Sequence, residues 1–225
     1  MSNKLGKYFS SWNPFEKGLL LASVILILGL GFILRCDWLT TIVAFLGFFS
    51  ALNQAKGNVL GQFIGVVLAI LYSIVSFRNK YFGEVIVYLV VILPLYVWGI
   101  FTWMKNRDNK TEKVKQNIIS CKEWMLLLVG CFVLFFLLYQ LLKYFDTSQL
   151  FISTLSMIIN ISATYLLVRR SKYSFIFYIF NAFILLVLWG IPVINGDYLL
   201  IPMVFDGILL LINDIYGFKS WAQSK

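Results

Sequence analysis

The sequence predicts an all-α integral membrane protein of eight transmembrane helices, on three observations. The 225 residues are 60% hydrophobic and 18% aromatic but only 13% charged, with mean hydropathy +0.85, whereas a soluble domain is about 45–50% apolar and about 25% charged. The apolar residues fall into eight runs of about 16–23, the length that crosses about 30 Å of hydrocarbon. Those runs take up most of the chain, so what remains suffices for short loops and tails and leaves no room for a soluble catalytic domain.

Taken in order, residues 1–17 form a short polar amino-terminal segment carrying Lys4, Lys7 and Lys17. No small-residue cleavage site follows the first apolar run, so Gly18–Leu34 reads as a retained helix and not a signal peptide. Trp38–Ala55, Gly57–Phe77 and Phe82–Met104 make a first three-helix unit over 38–104, with Pro94 inside its last helix. Lys105–Glu123 is the long polar, basic stretch, and Trp124–Phe145 is a connecting span. Gln149–Val168, Tyr173–Ile191 and Leu199–Trp221 make a second three-helix unit over 149–221.

Charge sets the orientation. With the amino terminus inside, 15 of the 19 Lys and Arg residues fall on the inner side, leaving Arg35, Arg78, Lys80 and Lys143 outside. By the positive-inside bias both termini and the 105–123 loop are cytoplasmic, in a plasma or inner membrane. The excess charge of +9 is spread over short inner loops, where it meets anionic lipid and not nucleic acid. Histidine is absent, and Cys36, Cys121 and Cys131 lack CxxC spacing. Without His, clustered acids, a Walker A or a Rossmann glycine pattern, the chain is read as no enzyme, with no cofactor and no metal site.

An internal repeat is visible. Trp98-Gly99-Ile100-Phe101-Thr102-Trp103 and Tyr216-Gly217-Phe218-Lys219-Ser220-Trp221 share the pattern aromatic-Gly-x-x-hydroxyl-Trp, 118 residues apart. Four spans separate equivalent helices, so the two units are parallel, an arrangement found among carriers.

Asn79-Lys80-Tyr81-Phe82-Gly83-Glu84, Pro94, Gly99-Ile100-Phe101-Thr102-Trp103 and Asn213-Asp214-Ile215-Tyr216-Gly217-Phe218-Lys219-Ser220-Trp221 resemble the PnuC family of vitamin transporters, in order and spacing over roughly residues 10–221. The resemblance implies a SWEET-like 3+1+3 arrangement of helices behind one extra amino-terminal helix. It implies facilitated diffusion of nicotinamide riboside or a related nucleoside-like vitamin, trapping by a cytosolic kinase, and a homotrimer. The family's nicotinamide riboside carriers have a WxxW pair early in the seventh span. Here the stretch Tyr173–Asn181 holds Tyr178 and several phenylalanines but no Trp, so thiamine, riboflavin and deoxynucleosides stand beside nicotinamide riboside as ligands.

Polar side chains at mid-depth are the candidate site, because hydrocarbon cannot satisfy them. Asn181 offers an amide donor and acceptor to a nucleoside or, alternatively, to a neighbouring helix. Asp206, well inside the last span, has three readings: accepting sugar hydroxyls, carrying a proton in a symporter, or bonding a neighbouring helix. Asn213 lies seven residues on, on the same face. Gln62, Tyr88, Tyr96, Trp98 and Asn160 complete the polar-tipped set, with Tyr88 and Tyr96 sharing a face around Pro94, itself a kink and hinge candidate. Against that stand core packing for the tyrosines and the interfacial belt for Trp98. Asp214 is expected to reach Arg169 or Arg170 as a structural or gating ion pair, and Glu84 to cap the start of the fourth span.

Overall fold

The computed structural model describes residues 8–78, 81–108, 111–147 and 149–223. Lys4, Lys7, Lys80, Lys110 and Lys225 of the charge count, and the Asn79-Lys80 pair of the family motif, lie outside them. Eight helices are long and apolar enough to cross a membrane: α1 (Pro14–Ile33), α2 (Trp38–Ala55), α3 (Leu60–Arg78), α4 (Phe82–Lys105), α5 (Cys121–Tyr144), α6 (Leu150–Val168), α7 (Tyr173–Ile194) and α8 (Tyr198–Gln223). Among the described residues there is no strand, only one isolated bridge between Arg107 and Val114.

Two helices begin earlier than hydropathy alone suggests, and capping explains both. Asn13 accepts a hydrogen bond from the Glu16 amide at 2.8 Å while the Glu16 carboxylate accepts one from the Asn13 amide at 2.9 Å, with Pro14 at the first helical position. This capping box satisfies amides that would otherwise face hydrocarbon. Ser120 caps α5 by accepting from the Glu123 amide at 3.3 Å, without the reciprocal bond. Within α4, a π-helical turn at Tyr88–Ile92 directly precedes Leu93 and Pro94. The turn absorbs the hydrogen bond that the proline nitrogen cannot make.

The helices α2, α3, α4, α6, α7 and α8 close a ring, each packing on the next and α8 returning to α2. Helix α5 packs outside on α6 and touches α4, while α1 packs outside on α8 and α2. α6 is the most enclosed helix, 67% buried over its apolar window against 11% for α5. Its buried Ser153, Thr154, Ser156, Ser162, Ala163 and Thr164 present small side chains that allow close helix approach.

Corresponding bonds recur 107–118 residues apart. Trp103 Nε1 donates to Leu167 O at 2.9 Å, and Trp221 Nε1 donates to Ala55 O at 3.0 Å. Glu16 pairs with Lys56 beyond the end of α2, and Glu123 pairs with Arg169 beyond the end of α6. The two sets of contacts match in order, with α1 and α5 supplying the acids, the ends of α2 and α6 the cations and carbonyls, and α4 and α8 the indoles.

Candidate functional site

The ring helices carry the polar side chains singled out in the sequence and bury Gln62, Tyr96, Asn181, Asn213 and Asp214. Gln62 of α3 is fully buried, its amide set against Gly99 of α4, where no side chain would fit. Neither its Nε2 nor its Oε1 has a hydrogen-bond partner. On α8, Asp206 Oδ1 and Asn213 Oδ1 are likewise buried without partners, although Asn213 Nδ2 donates to Asp214 at 3.4 Å. An unsatisfied polar atom at membrane depth costs several kcal/mol. All three side chains sit on helices of the ring, Gln62 on α3 and Asp206 and Asn213 on α8.

Around them stand the tyrosines. Tyr96 is buried against Gly65, and Tyr178 exchanges a 3.1 Å hydrogen bond with Thr164 of α6. Tyr88 stacks on Tyr72 with ring centroids 4.1 Å apart, beside Asn160. Asn181 accepts a hydrogen bond from Ser156 at 2.8 Å, so one of its polar atoms already serves the α6–α7 contact. Trp98 is 42% exposed and lies near Tyr165, which places it on the membrane side of α4 while Trp103 is fully buried.

Two expectations give way to different contacts. Asp214 does not meet either arginine. Arg169 is held by Glu123 at 2.5 and 3.0 Å, while Arg170 donates to Lys115 O at 3.0 Å. Glu84 sits in the first turn of α4, but its carboxylate reaches across to α3, accepting from the hydroxyls of Tyr72 at 2.6 Å and Ser76 at 3.3 Å. A phenol already aligned across the helix interface replaces the backbone cap.

At the end where residues 111–120 lie, the ring is closed. Trp103 and Trp221 meet with centroids 5.7 Å apart, and Phe175 packs edge-on to Trp221. Each indole donates to a carbonyl near the end of the next helix round the ring, Trp103 of α4 to α6 and Trp221 of α8 to α2. Val114 fills the same apolar cluster. Its amide donates to Gly57 O at 3.0 Å, the Asn117 amide donates to Arg170 O at 3.0 Å, and Gln116 Nε2 donates to Trp221 O. Gly57 makes this possible at φ +71°, the left-handed turn that ends α2. Residues 114–117 thus form a strap that ties the ends of α2, α6 and α8 together.

Sequence reasoning overlooked the ion pairs that flank this closure. Glu16 accepts from Lys56 Nζ at 2.7 Å and from the Tyr216 hydroxyl at 2.7 Å, and Lys56 also lies 4.3 Å over the Trp12 ring. Burial pulls the Lys56 ammonium below the ordinary lysine range, opposed by the hydrogen bond and charge of Glu16. Burial pushes the Tyr8 hydroxyl, which donates to Asn53, up to about 12. The signal for Glu16 and Glu123 was present in Asn13-x-x-Glu16 and Ser120-x-x-Glu123, each ahead of an apolar run. Among the described residues, no group of three or more His, Cys, Asp or Glu is placed to hold a metal ion.

Comparison with known proteins agrees with this architecture. A solved structure described as the vitamin B3 transporter PnuC superposes with a TM-score of 0.81 at 21% identity, covering 96% of this chain and 94% of that one. The nicotinamide riboside transporter PnuC of Haemophilus influenzae is 27% identical, covering 96% of this chain and 93% of the relative. Its namesake from Neisseria mucosa is 23% identical, covering 96% and 83%. The profile of the family described as nicotinamide mononucleotide transporter matches residues 37–223. Spanning all of α2 to α8, that match places the chain in the PnuC family of membrane transporters.

Proposed function

We propose that this chain is a carrier for a nucleoside-like vitamin, nicotinamide riboside first among them, moving it down its gradient by alternating access. The observation that carries the reading is the set of buried, unpartnered polar groups of Gln62, Asp206 and Asn213 inside the ring. Amide and carboxylate oxygens suit ribose hydroxyls, and the neighbouring Tyr88, Tyr96 and Tyr178 suit a flat heterocycle. Asn181 and Asn160 stand next to this set as further contacts. The described Lys and Arg residues sit at the span ends, while Asp206 and Asp214 lie within α8. A phosphorylated nucleotide would therefore meet carboxylates and no cation, which favours the riboside over the mononucleotide. The names of the two relatives point the same way.

In this reading both termini and the strap are cytoplasmic, in the inner or plasma membrane. The ring's two three-helix units, with α5 joining them, work as a SWEET-like pair around a pseudo-two-fold axis. The Trp103–Trp221 closure is then the cytoplasmic gate, and Pro94 with its π-helical turn is a hinge in α4. A cytosolic kinase traps the imported riboside by phosphorylation, and the exposed apolar face of α5 is available for a homotrimer.

Binding to the purified protein tests the reading, by thermal shift with nicotinamide riboside, its mononucleotide, thiamine, riboflavin and deoxynucleosides. Stabilisation by the riboside and not the mononucleotide is expected. Equal stabilisation by the mononucleotide, or none by any member of the set, overturns it. The unpartnered Asp206 oxygen keeps one second reading, proton symport. In liposomes, accumulation of unmodified ligand driven by an imposed pH gradient and lost in Asp206→Asn would establish it in place of facilitated diffusion.

A further inference from the structure

At the end of the molecule opposite the strap, α1 and α2 pack so closely at Gly31 that a Cβ there would lie 2.5 Å from the Thr41 side chain. Outside this contact runs a groove of about 420 Å³, walled by Leu28, Phe32, Trp38 and Ile42 and ended by Arg35. The volume lies within the range of sites that hold a single ligand, about 300–1,000 Å³. Its walls point outward from the helices: Phe32 is 86% exposed and Trp38 is 67% exposed.

Arg35 is the unusual member. It holds φ at +55°, a left-handed conformation that disfavours any side chain, to make the turn from α1 into α2. Among the described residues no ion pair is formed by Arg35. The neighbouring acid is already committed, since Asp37 caps α2 by accepting from the Thr40 amide at 2.9 Å and the Thr40 hydroxyl at 2.8 Å. A guanidinium outside any ion pair, at an apolar, outward-facing groove that also holds the exposed Trp38 indole, matches a phosphodiester continued by an acyl chain.

We infer that this groove binds one anionic glycerophospholipid, with its headgroup phosphate on Arg35 and an acyl chain along Leu28, Phe32 and Ile42. The site is separate from the ring interior and does not depend on what the carrier transports. Native mass spectrometry of the delipidated full chain tests it, titrating dioleoylphosphatidylglycerol, dioleoylphosphatidylcholine and, in a third arm, glycerol phosphate. One phosphatidylglycerol is expected to be retained in preference to phosphatidylcholine, and glycerol phosphate alone not at all. Arg35→Gln is expected to weaken phosphatidylglycerol retention by about tenfold or more, the effect of losing a charge-assisted contact. Ile42→Trp, which fills the groove, should displace both lipids. Arg107→Gln, in an exposed pair with Glu112, should change neither. Each variant is compared at an unchanged melting temperature. Three results overturn the inference: phosphatidylglycerol retention unaltered in both Arg35→Gln and Ile42→Trp, glycerol phosphate binding as well as the lipid, or Ile42→Trp breaking up an oligomer, which would make the groove a contact between copies.

Discussion

Replacing Trp221 by Phe tests whether the paired indoles form a gate. The substitution keeps an aromatic ring against Trp103 and Phe175 but deletes the Nε1 donor to Ala55 O. The mirror variant, Trp103→Phe, deletes the donor to Leu167 O, but that carbonyl also accepts the Arg170 amide at 2.8 Å. The two changes are therefore unequal. Losing a bond whose acceptor keeps another donor costs about 0.5–1.5 kcal/mol, and stranding a buried acceptor costs about 1–3 kcal/mol. If the bonds exist only in the closed state, these energies are population shifts, about 2- to 13-fold for Trp103→Phe and about 5- to 150-fold for Trp221→Phe. Opening is read by labelling Thr164→Cys, a buried position one turn before Leu167, in an otherwise cysteine-free protein, with a thiol reagent applied from the strap side. Labelling should speed up in both variants, and more in Trp221→Phe. Lowered melting temperatures with unchanged labelling rates would mean the indoles only hold the fold. A larger effect for Trp103→Phe would refute the energetic reasoning.

Three further outcomes are expected. Glu16→Gln should destabilise the protein by about 3–5 kcal/mol, because it strands a buried lysine. Lys56 already titrates below its ordinary range, so the unfolded chain binds more protons than the folded one and the variant's thermal stability should rise with pH through the alkaline range below the free-lysine value. A melting temperature that is flat or falling with pH there would count against the assignment. Asn181→Leu should weaken ligand binding by about 5- to 150-fold; unchanged affinity with a lowered melting temperature would assign Asn181 to its Ser156 bond alone. A cysteine placed at position 110 should resist an impermeant reagent in intact cells, and its labelling there would invert the topology.

The spans were legible because hydrocarbon imposes length and apolarity on every residue of a crossing helix. Helix starts were less so, since Asn13–Lys17 and Ser120–Glu123 are polar and their helicity comes from side-chain caps. Gln62, Asp206 and Asn213 stand out in one dimension because polarity within a span is conspicuous, and the fold leaves a buried, unpartnered atom on each. Glu16, Lys56, Glu123 and Arg169 could not, because charges near span ends look like topology signals until the ring closes and brings residues 40 or 46 positions apart into contact. The repeated tryptophan motif was visible, but its two aromatics play opposite parts. Five residues on a helix turn through about 140° beyond one full turn, so Trp98 faces lipid while Trp103 lies wholly inside.

On the proposed function, the same register accounts for how a scaffold with a repeated sequence pattern would hold an asymmetric ligand. Gly99 and Gly217 are 118 residues apart, as are Trp103 and Trp221, and each pair keeps one role in both halves: close helix approach for the glycines, a cross-unit bond for the tryptophans. At that same offset, Tyr88 corresponds to Asp206 and Tyr96 to Asp214. The halves agree where they build the ring and the closure, and differ at the side chains proposed to receive the ligand. A site with strict two-fold symmetry would accept a molecule equally well in two orientations and discriminate neither end. With aromatic rings on α4 and carboxylates at the matching positions of α8, one half suits a flat heterocycle and the other suits hydroxyls. On the proposed function, the difference at these two pairs, against the matching glycines and tryptophans, would favour one binding pose over its reverse.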